Sequence, residues 1–179
     1  MGYKHTKEEI LGGALAAAFD EGLSRLTFGR LANRLGISDR VVVYYFPTKD
    51  DLIGEVILAL GAKLQQTLAE AFVDPVADHR QLARVAWPVV TTPDADAVFA
   101  LFFEANGLAA SGREPYRALV PALVEHWIAW AAELIDVPET DRRSEAEAAV
   151  ALIDGLLLLR QLAGSEAAER AARHLLELT

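Results

Sequence analysis

The chain has 179 residues, of which 53% are hydrophobic, no cysteine, and a formal net charge of −9 at pH 7. That length allows one extended domain or a small domain followed by a larger one. Without cysteine there is no disulfide framework, thiolate metal site, zinc finger or cysteine nucleophile, which fits a reducing cytosol. Alanine and leucine dominate and strand formers are sparse outside Val41 to Phe46, so an all-α fold is expected.

No signal-peptide core opens the sequence, because Lys4, Lys7, Glu8 and Glu9 lead into an amphipathic helix. The most apolar stretch, Ala148 to Leu159, is interrupted by Asp154 and is too short for a bilayer. A cytoplasmic location is expected. The net charge argues at first against a nucleic-acid partner, but its distribution points the other way. Residues 1–50 carry Lys4, Lys7, Arg25, Arg30, Arg34, Arg40 and Lys49 against Glu8, Glu9, Asp20, Glu21, Asp39 and Asp50, a net +1 that leaves −10 on the remainder. A near-neutral head with a local basic cluster can bind DNA through a few phosphates, while an acidic body repels the duplex and orients the head.

In chain order, Thr6-Lys7-Glu8-Glu9 is a capping box that starts a first helix, with Ile10, Leu11, Ala14, Leu15, Ala18 and Phe19 as its buried stripe and Gly22 as a left-handed end. Thr27 caps a second, short helix in which Phe28, Leu31, Ala32 and Leu35 share one face and Arg30 and Arg34 lie opposite; Gly36 stops it. After Gly36-Ile37-Ser38, Ser38 caps a third helix with Asp39 at its positive end, running through Val41, Val42, Val43, Tyr44 and Tyr45 to the break at Phe46-Pro47. Three consecutive valines favour a strand, but no second strand is available to pair with it, so tertiary packing must impose the helix. Thr48-Lys49-Asp50-Asp51 is a second capping box, opening a long helix that carries Leu52, Ile53, Val56, Ile57, Leu60 and Leu64 towards Phe72. Beyond Pro75 helices are expected near Ala77 to Thr91, Ala95 to Ala110, Tyr116 to Ile135, Arg142 to Ala163 and Glu166 to Leu178, punctuated at Pro93, Gly112 to Pro115, Pro138 and Gly164-Ser165. The domains are then 1–48, with 49–72 as connecting helix, and 49–179.

Helices two and three make a helix-turn-helix, the second presented to the major groove and the first bracing it. The run Thr27-Phe28-Gly29-Arg30-Leu31-Ala32-Asn33-Arg34-Leu35-Gly36-Ile37-Ser38, followed by Tyr44-Tyr45-Phe46-Pro47-Thr48-Lys49-Asp50-Asp51-Leu52, resembles the N-terminal signature of the TetR family of transcriptional regulators. The resemblance covers roughly Thr6 to Ile57; residues 75–179 match only in size and helical character. It implies a DNA-binding head on a C-terminal ligand-sensing and dimerisation domain. It makes Ser38 to Tyr45 the recognition helix, places Thr27 and Ser38 at helix starts near phosphates, and makes Lys49 a phosphate-binding lysine. Physical chemistry agrees: Lys49 stands at a helix N-terminus, Tyr44 and Tyr45 carry phenolic donors for backbone oxygens, and Arg40 is the recognition-helix residue able to grip guanine bidentately. Arg34, Asp39 and Val41 complete the expected DNA-facing set. Arg40, where the family usually has a small residue, and Val43, where it commonly has an aromatic, depart from the pattern, so the resemblance does not supply the operator sequence.

The resemblance also implies a homodimer whose heads straddle successive major grooves of a palindromic operator, with half-site centres roughly 34 to 36 Å apart. The pairing helices are expected at 116–135 and 142–163; the second is apolar nearly all round from Val150 to Leu159. A small, largely apolar effector is expected among the helices from Glu55 to Ile135. Trp87, Phe103, Asn106 and Trp130 are the candidate lining; Phe99, Phe102 and Trp127 are further walls, and Arg84, Glu104 and His126 are polar groups among them. Effector binding would tilt the long helix and change the separation of the recognition helices. No cofactor and no metal are expected. An enzyme finds little support, since there is no glycine-rich phosphate loop, no Gly-x-Ser-x-Gly and no His-Glu-x-x-His. A helical protein-interaction module, or an activator of the same fold without an inducer, remains the alternative.

Overall fold

The computed structural model of the chain describes residues 5–178. Among them are nine α-helices: α1 (Lys7–Glu21), α2 (Phe28–Leu35), α3 (Asp39–Tyr45), α4 (Lys49–Ala69), α5 (His79–Val90), α6 (Pro93–Ala110), α7 (Tyr116–Leu134), α8 (Glu139–Ala163) and α9 (Ser165–Leu175). A 3₁₀ turn, Leu23–Arg25, links α1 to α2. The chain divides into two compact units, one of residues up to Lys63 with Leu101–Val120, the other of Leu64–Ala100 with the residues from Pro121 on.

In the first unit α1 opens on the expected capping box: the Glu9 N–H donates to Thr6 Oγ1 at 3.2 Å and the Thr6 N–H to Glu9 Oε2 at 3.0 Å. Four orphan amides stand at any helix start, and this exchange satisfies two donors at once. Ile10, Ala14, Ala17 and Ala18 are its buried residues, whereas Phe19, expected in the stripe, is exposed. Gly22 has a positive φ of 89° as expected, but with ψ 160° it is not in the left-handed helical region. Thr48 and Asp51 repeat the reciprocal cap at α4, with Thr48 N–H to Asp51 Oδ2 at 2.9 Å and Asp51 N–H to Thr48 Oγ1 at 3.1 Å. α4 is long and apolar enough to cross a membrane by length and composition. Its apolar content nonetheless has a place inside the protein, for Leu52, Ile53, Val56, Ile57 and Leu60 are all buried.

In the second unit, α8 packs against α5 and α9. Val76, Leu82, Ala131, Ile135, Ala146 and Ala149 form a buried cluster there, flanked by Phe72, Ile128 and Ile153. A single parallel bridge pairs Val76 with Ile135, its N–H donating to Leu134 O and its carbonyl accepting from Asp136 N–H, both at 2.8 Å. Arg160 on α8 reaches Asp96 at 2.6 and 2.8 Å and the last-turn carbonyl of Thr91 at 3.1 Å, so one guanidinium ties down the α5–α6 turn. Glu145 accepts from the His79 N–H at 2.9 Å and lies 2.6 Å from its ring, and these bonds hold its carboxyl below the usual range.

Several boundaries moved, for local reasons. Pro93, expected to interrupt, is the first residue of α6, where its missing N–H costs nothing. α8 begins at Glu139 rather than Arg142, because Pro138 precedes it and Glu139 and Asp141 sit at the positive end of the dipole. α4 ends at Ala69, short of Phe72. Ser38 occupies the N-cap of α3, yet its side chain makes no capping hydrogen bond.

Asp154 lies among the leucines of α8, and burial pushes its carboxyl up to about 6. The unfolded value is about 3.9, so between about pH 4 and pH 6 the folded chain binds more protons than the unfolded one. Stability therefore falls as pH rises through that window. Asp154→Asn removes the charge: the stability difference between variant and wild type in urea should grow as pH rises from 4 to 6, reaching a gain of about 1–2 kcal/mol at pH 7.5 after allowing for partial solvation. A variant with the wild-type pH slope would show that Asp154 is ordinarily solvated.

Candidate nucleic-acid interface

The turn between α2 and α3 rests on Gly36, whose φ of 66° and ψ of 31° are left-handed. The Ile37 N–H then reaches Ala32 O at 3.0 Å and the Gly36 N–H reaches Asn33 O at 3.3 Å, which satisfies carbonyls that α2 leaves open. Thr27 caps α2 by accepting from the Arg30 N–H at 3.3 Å. Leu31 and Ala32 from α2, Val42 from α3 and Phe46 just beyond it are buried, so the apolar sides of both helices are committed to the interior. Of the three valines only Val42 is fully inside; Val41 is half-buried and Val43 exposed.

What remains outside is a polar and aromatic face. Ser38, Asp39 and Arg40 are exposed in the first turn of α3. Tyr44 is 78% exposed and meets the ring of Tyr45 edge-on at 4.9 Å. Lys49 is exposed in the first turn of α4. Among the described residues Arg25, Arg40 and Lys49 carry no ion pair, whereas Arg30 is held by Glu21 at 2.8 Å and Arg34 by Asp20 at 2.5 Å. Exposed pairs of this kind contribute about 0.2–1 kcal/mol, little enough for a phosphate to displace the carboxylate.

Tyr45 behaves differently from its neighbour. It is half-buried, and its hydroxyl donates to the His5 carbonyl at 2.8 Å, across 40 residues of sequence. Its phenol therefore holds the N-terminal segment against α3. Lys7 does similar work on the same side, 5.5 Å above the Phe46 ring and 2.6 Å from Glu55. Neither contact has a local sequence signal.

The candidate effector residues fall in different units. In the second, Trp87 is buried and donates its indole N–H to Glu169 at 3.2 Å, and Trp130 is half-buried, edge-on to Phe72 at 6.0 Å and to Trp127 at 5.5 Å. In the first, Phe103 is half-buried beside Phe102 at 5.6 Å, and the Asn106 side-chain oxygen is buried without a partner. His126 is exposed, its Nε2 3.2 Å from Gln65. Sequence reasoning passed over Tyr116, which is 4% exposed, with a hydroxyl that is also buried without a partner. Burial first, then the nearby charge of Glu104, pushes this phenol up to about 12. Glu104, expected among the polar groups of a cavity, has a carboxylate that accepts from the backbone N–H groups of Leu23 and Ser24.

Residues 10–56 match the model of the bacterial regulatory proteins of the tetR family. No curated protein sequence matches the chain. Solved structures match along nearly its whole length. A TetR transcriptional regulator from Legionella pneumophila is 22% identical, with 99% of this chain and 98% of that one covered and a TM-score of 0.69. A TetR-family member from Streptomyces coelicolor A3 is 24% identical over 96% of this chain and 95% of that one, with a TM-score of 0.71. The multidrug binding protein EbrR, in complex with proflavin, is 25% identical over 96% of this chain and 97% of that one, with a TM-score of 0.70. The matched segment spans the helix-turn-helix, so residues 10–56 are a DNA-binding head of the tetR-family type, and the fold shared with TetR-family regulators continues beyond it.

Proposed function

We propose that the chain is a repressor that binds a palindromic operator as a homodimer in the cytoplasm and is released by a small, largely apolar effector. The outward face of α3, with Arg40, Val43 and Tyr44 free of the core, together with the unpaired Lys49, carries the DNA part of this reading. Arg40 would read guanine through its two parallel N–H donors, and Val43 offers a methyl contact for thymine. Lys49, beside the free amides of the α4 start, would hold a phosphate and fix register rather than sequence. Thr27, Ser38 and Asp39 lie at the helix starts where backbone contacts form; Arg34 and Val41 flank them, and Tyr45 supports the face through His5.

For pairing, α8 presents Leu158 and, four residues on, Leu162 at 78% exposure, and α9 adds the exposed Leu175. Two leucines one helical turn apart suit an isologous helix pair, of which the expected α8 segment is one member; α7 is the other expected member. For the effector, EbrR is described as a multidrug binding protein, seen with proflavin and with imidazole. A buried polar atom left without a partner costs about 1–3 kcal/mol, so Asn106 Oδ1 and the Tyr116 hydroxyl favour an effector that brings at least one hydrogen-bond donor. Phe103, in the same unit as these two groups, would supply apolar contact. Release requires only that the effector bind the operator-incompetent dimer better, with a coupling of about 1–3 kcal/mol, and a change in the tilt of α4 is the motion we assign to it.

Selection of bound duplexes from a random pool should enrich a palindrome with a steep salt dependence; no enrichment at low salt removes the reading. On the selected duplex, Lys49→Ala should weaken binding for all sequences alike and reduce the salt slope by about one. Arg40→Ala should instead relax preference at one base pair, by about 1–3 kcal/mol. Sedimentation should find the wild type dimeric and Leu162→Glu monomeric; a dimeric variant would place the interface elsewhere.

A further inference from the structure

The side chain of Glu104 projects from the C-terminal half of α6 onto the DNA-binding head. Its Oε2 accepts from the Leu23 N–H at 2.8 Å and its Oε1 from the Ser24 N–H at 2.9 Å. These amides open the 3₁₀ turn Leu23–Arg25, whose own N-cap residue is Gly22 and offers no side chain to cap it. Glu104 therefore does for this turn what Thr6 does for α1, but from 81 residues away. The two bonds are charge-assisted, shorter and more directional than a neutral acceptor would give.

The backbone is shaped to admit the carboxylate. Gly22 has φ +89°, and a Cβ built on it would stand 3.0 Å from Glu104 Oε2 and 3.2 Å from Oε1. Glycine at this position thus permits both the turn and the close approach. Leu23 and Leu26, on either side of the turn, are buried, so the turn cannot shift without disturbing the head's core. The next residue, Thr27, is the N-cap of α2. Displacement of the Leu23–Arg25 turn is therefore delivered directly to the start of the helix-turn-helix. On the other side, Glu104 is two residues from Asn106, and its charge is felt at Tyr116.

We propose that Glu104 is a positioning residue for operator binding: by clamping the leading amides of the α1–α2 turn it sets the orientation of α2 and α3, and it passes movement of α6 to the recognition helix. This rests on the operator-binding reading above. The clamp is a specific connection, made by one carboxylate to two named amides, so it can be removed without touching any residue of the DNA-facing surface.

The test compares the full-length wild type with Glu104→Ala, which removes the acceptor, and Glu104→Gln, which keeps the shape but sets an amide donor against one of the two N–H groups. Amide hydrogen exchange followed by NMR should accelerate at Leu23 and Ser24 on the order of tenfold in both variants, while Leu31 keeps its protection. On the selected palindrome, with concentrations corrected for folded fraction, affinity should fall about five- to tenfold, and duplexes with half-sites one base pair closer or farther should be discriminated less. Unchanged exchange at Leu23 and Ser24 would overturn the clamp. Accelerated exchange with wild-type affinity and spacing preference would overturn the positioning role and leave a helix cap. If the wild type itself enriches no duplex, the operator reading fails and takes this inference with it, whereas wild-type binding matched by both variants removes the inference alone.

Discussion

A seven-residue helix with three consecutive valines does not hold itself together in water, since its nucleation is unfavourable and β-branched side chains lose rotamer freedom in it. Its existence is a tertiary fact. Val42, with no solvent exposure, and Phe46, at 1%, are the two anchors that pin α3 to the head. The Tyr45 hydroxyl on His5 O and the Lys7 ammonium above the Phe46 ring tie the N-terminal segment around the same point. Everything proposed for the outward face follows from this constraint, because Arg40, Val43 and Tyr44 are outside by virtue of Val42 and Phe46 being inside. Rigidity matters here, for a base-reading residue displaced by an ångström loses its hydrogen-bond geometry.

The acidic balance of the chain is compatible with a nucleic-acid partner because charge is apportioned along it. Arg30 and Arg34 are matched with Glu21 and Asp20 on α1, while Arg25, Arg40 and Lys49 are unmatched among the described residues. A head of this kind attracts phosphate over a short range, within about a Debye length of 8 Å at physiological salt. Selectivity then depends on the few side chains that touch bases rather than on a broad positive field.

The parts legible in the sequence were those written in local chemistry. Thr6 with Glu9, Thr48 with Asp51, Thr27 before Phe28 and Gly36 after Leu35 marked four boundaries of three helices, and the order of the residues between them carried the family resemblance. Where a signal was ambiguous the outcome was set by dipole and proline geometry, as at Pro93 and Glu139. Long-range partners left no trace: nothing around Tyr45 announces His5, and nothing around Glu104 announces Leu23 and Ser24, because hydrogen bonds across 40 and 81 residues depend on packing rather than on spacing. The same holds for Tyr116, an aromatic like many others until its hydroxyl proves to be buried without a partner.

In the second unit, Ala146 and Ala149 on α8 and Ala168 and Ala172 on α9 have no solvent exposure, alongside the larger buried Leu157 of α8. At such points the backbones lie close, and even one added methyl group forces strain of about 1–3 kcal/mol. The consequence is a lopsided tolerance to sequence drift. These two helices have a ceiling on side-chain size at those four positions. Relatives that keep this packing would hold small residues at these four points while the exposed positions of the same helices drift, so the α8–α9 frame would outlast the identity of most residues around it.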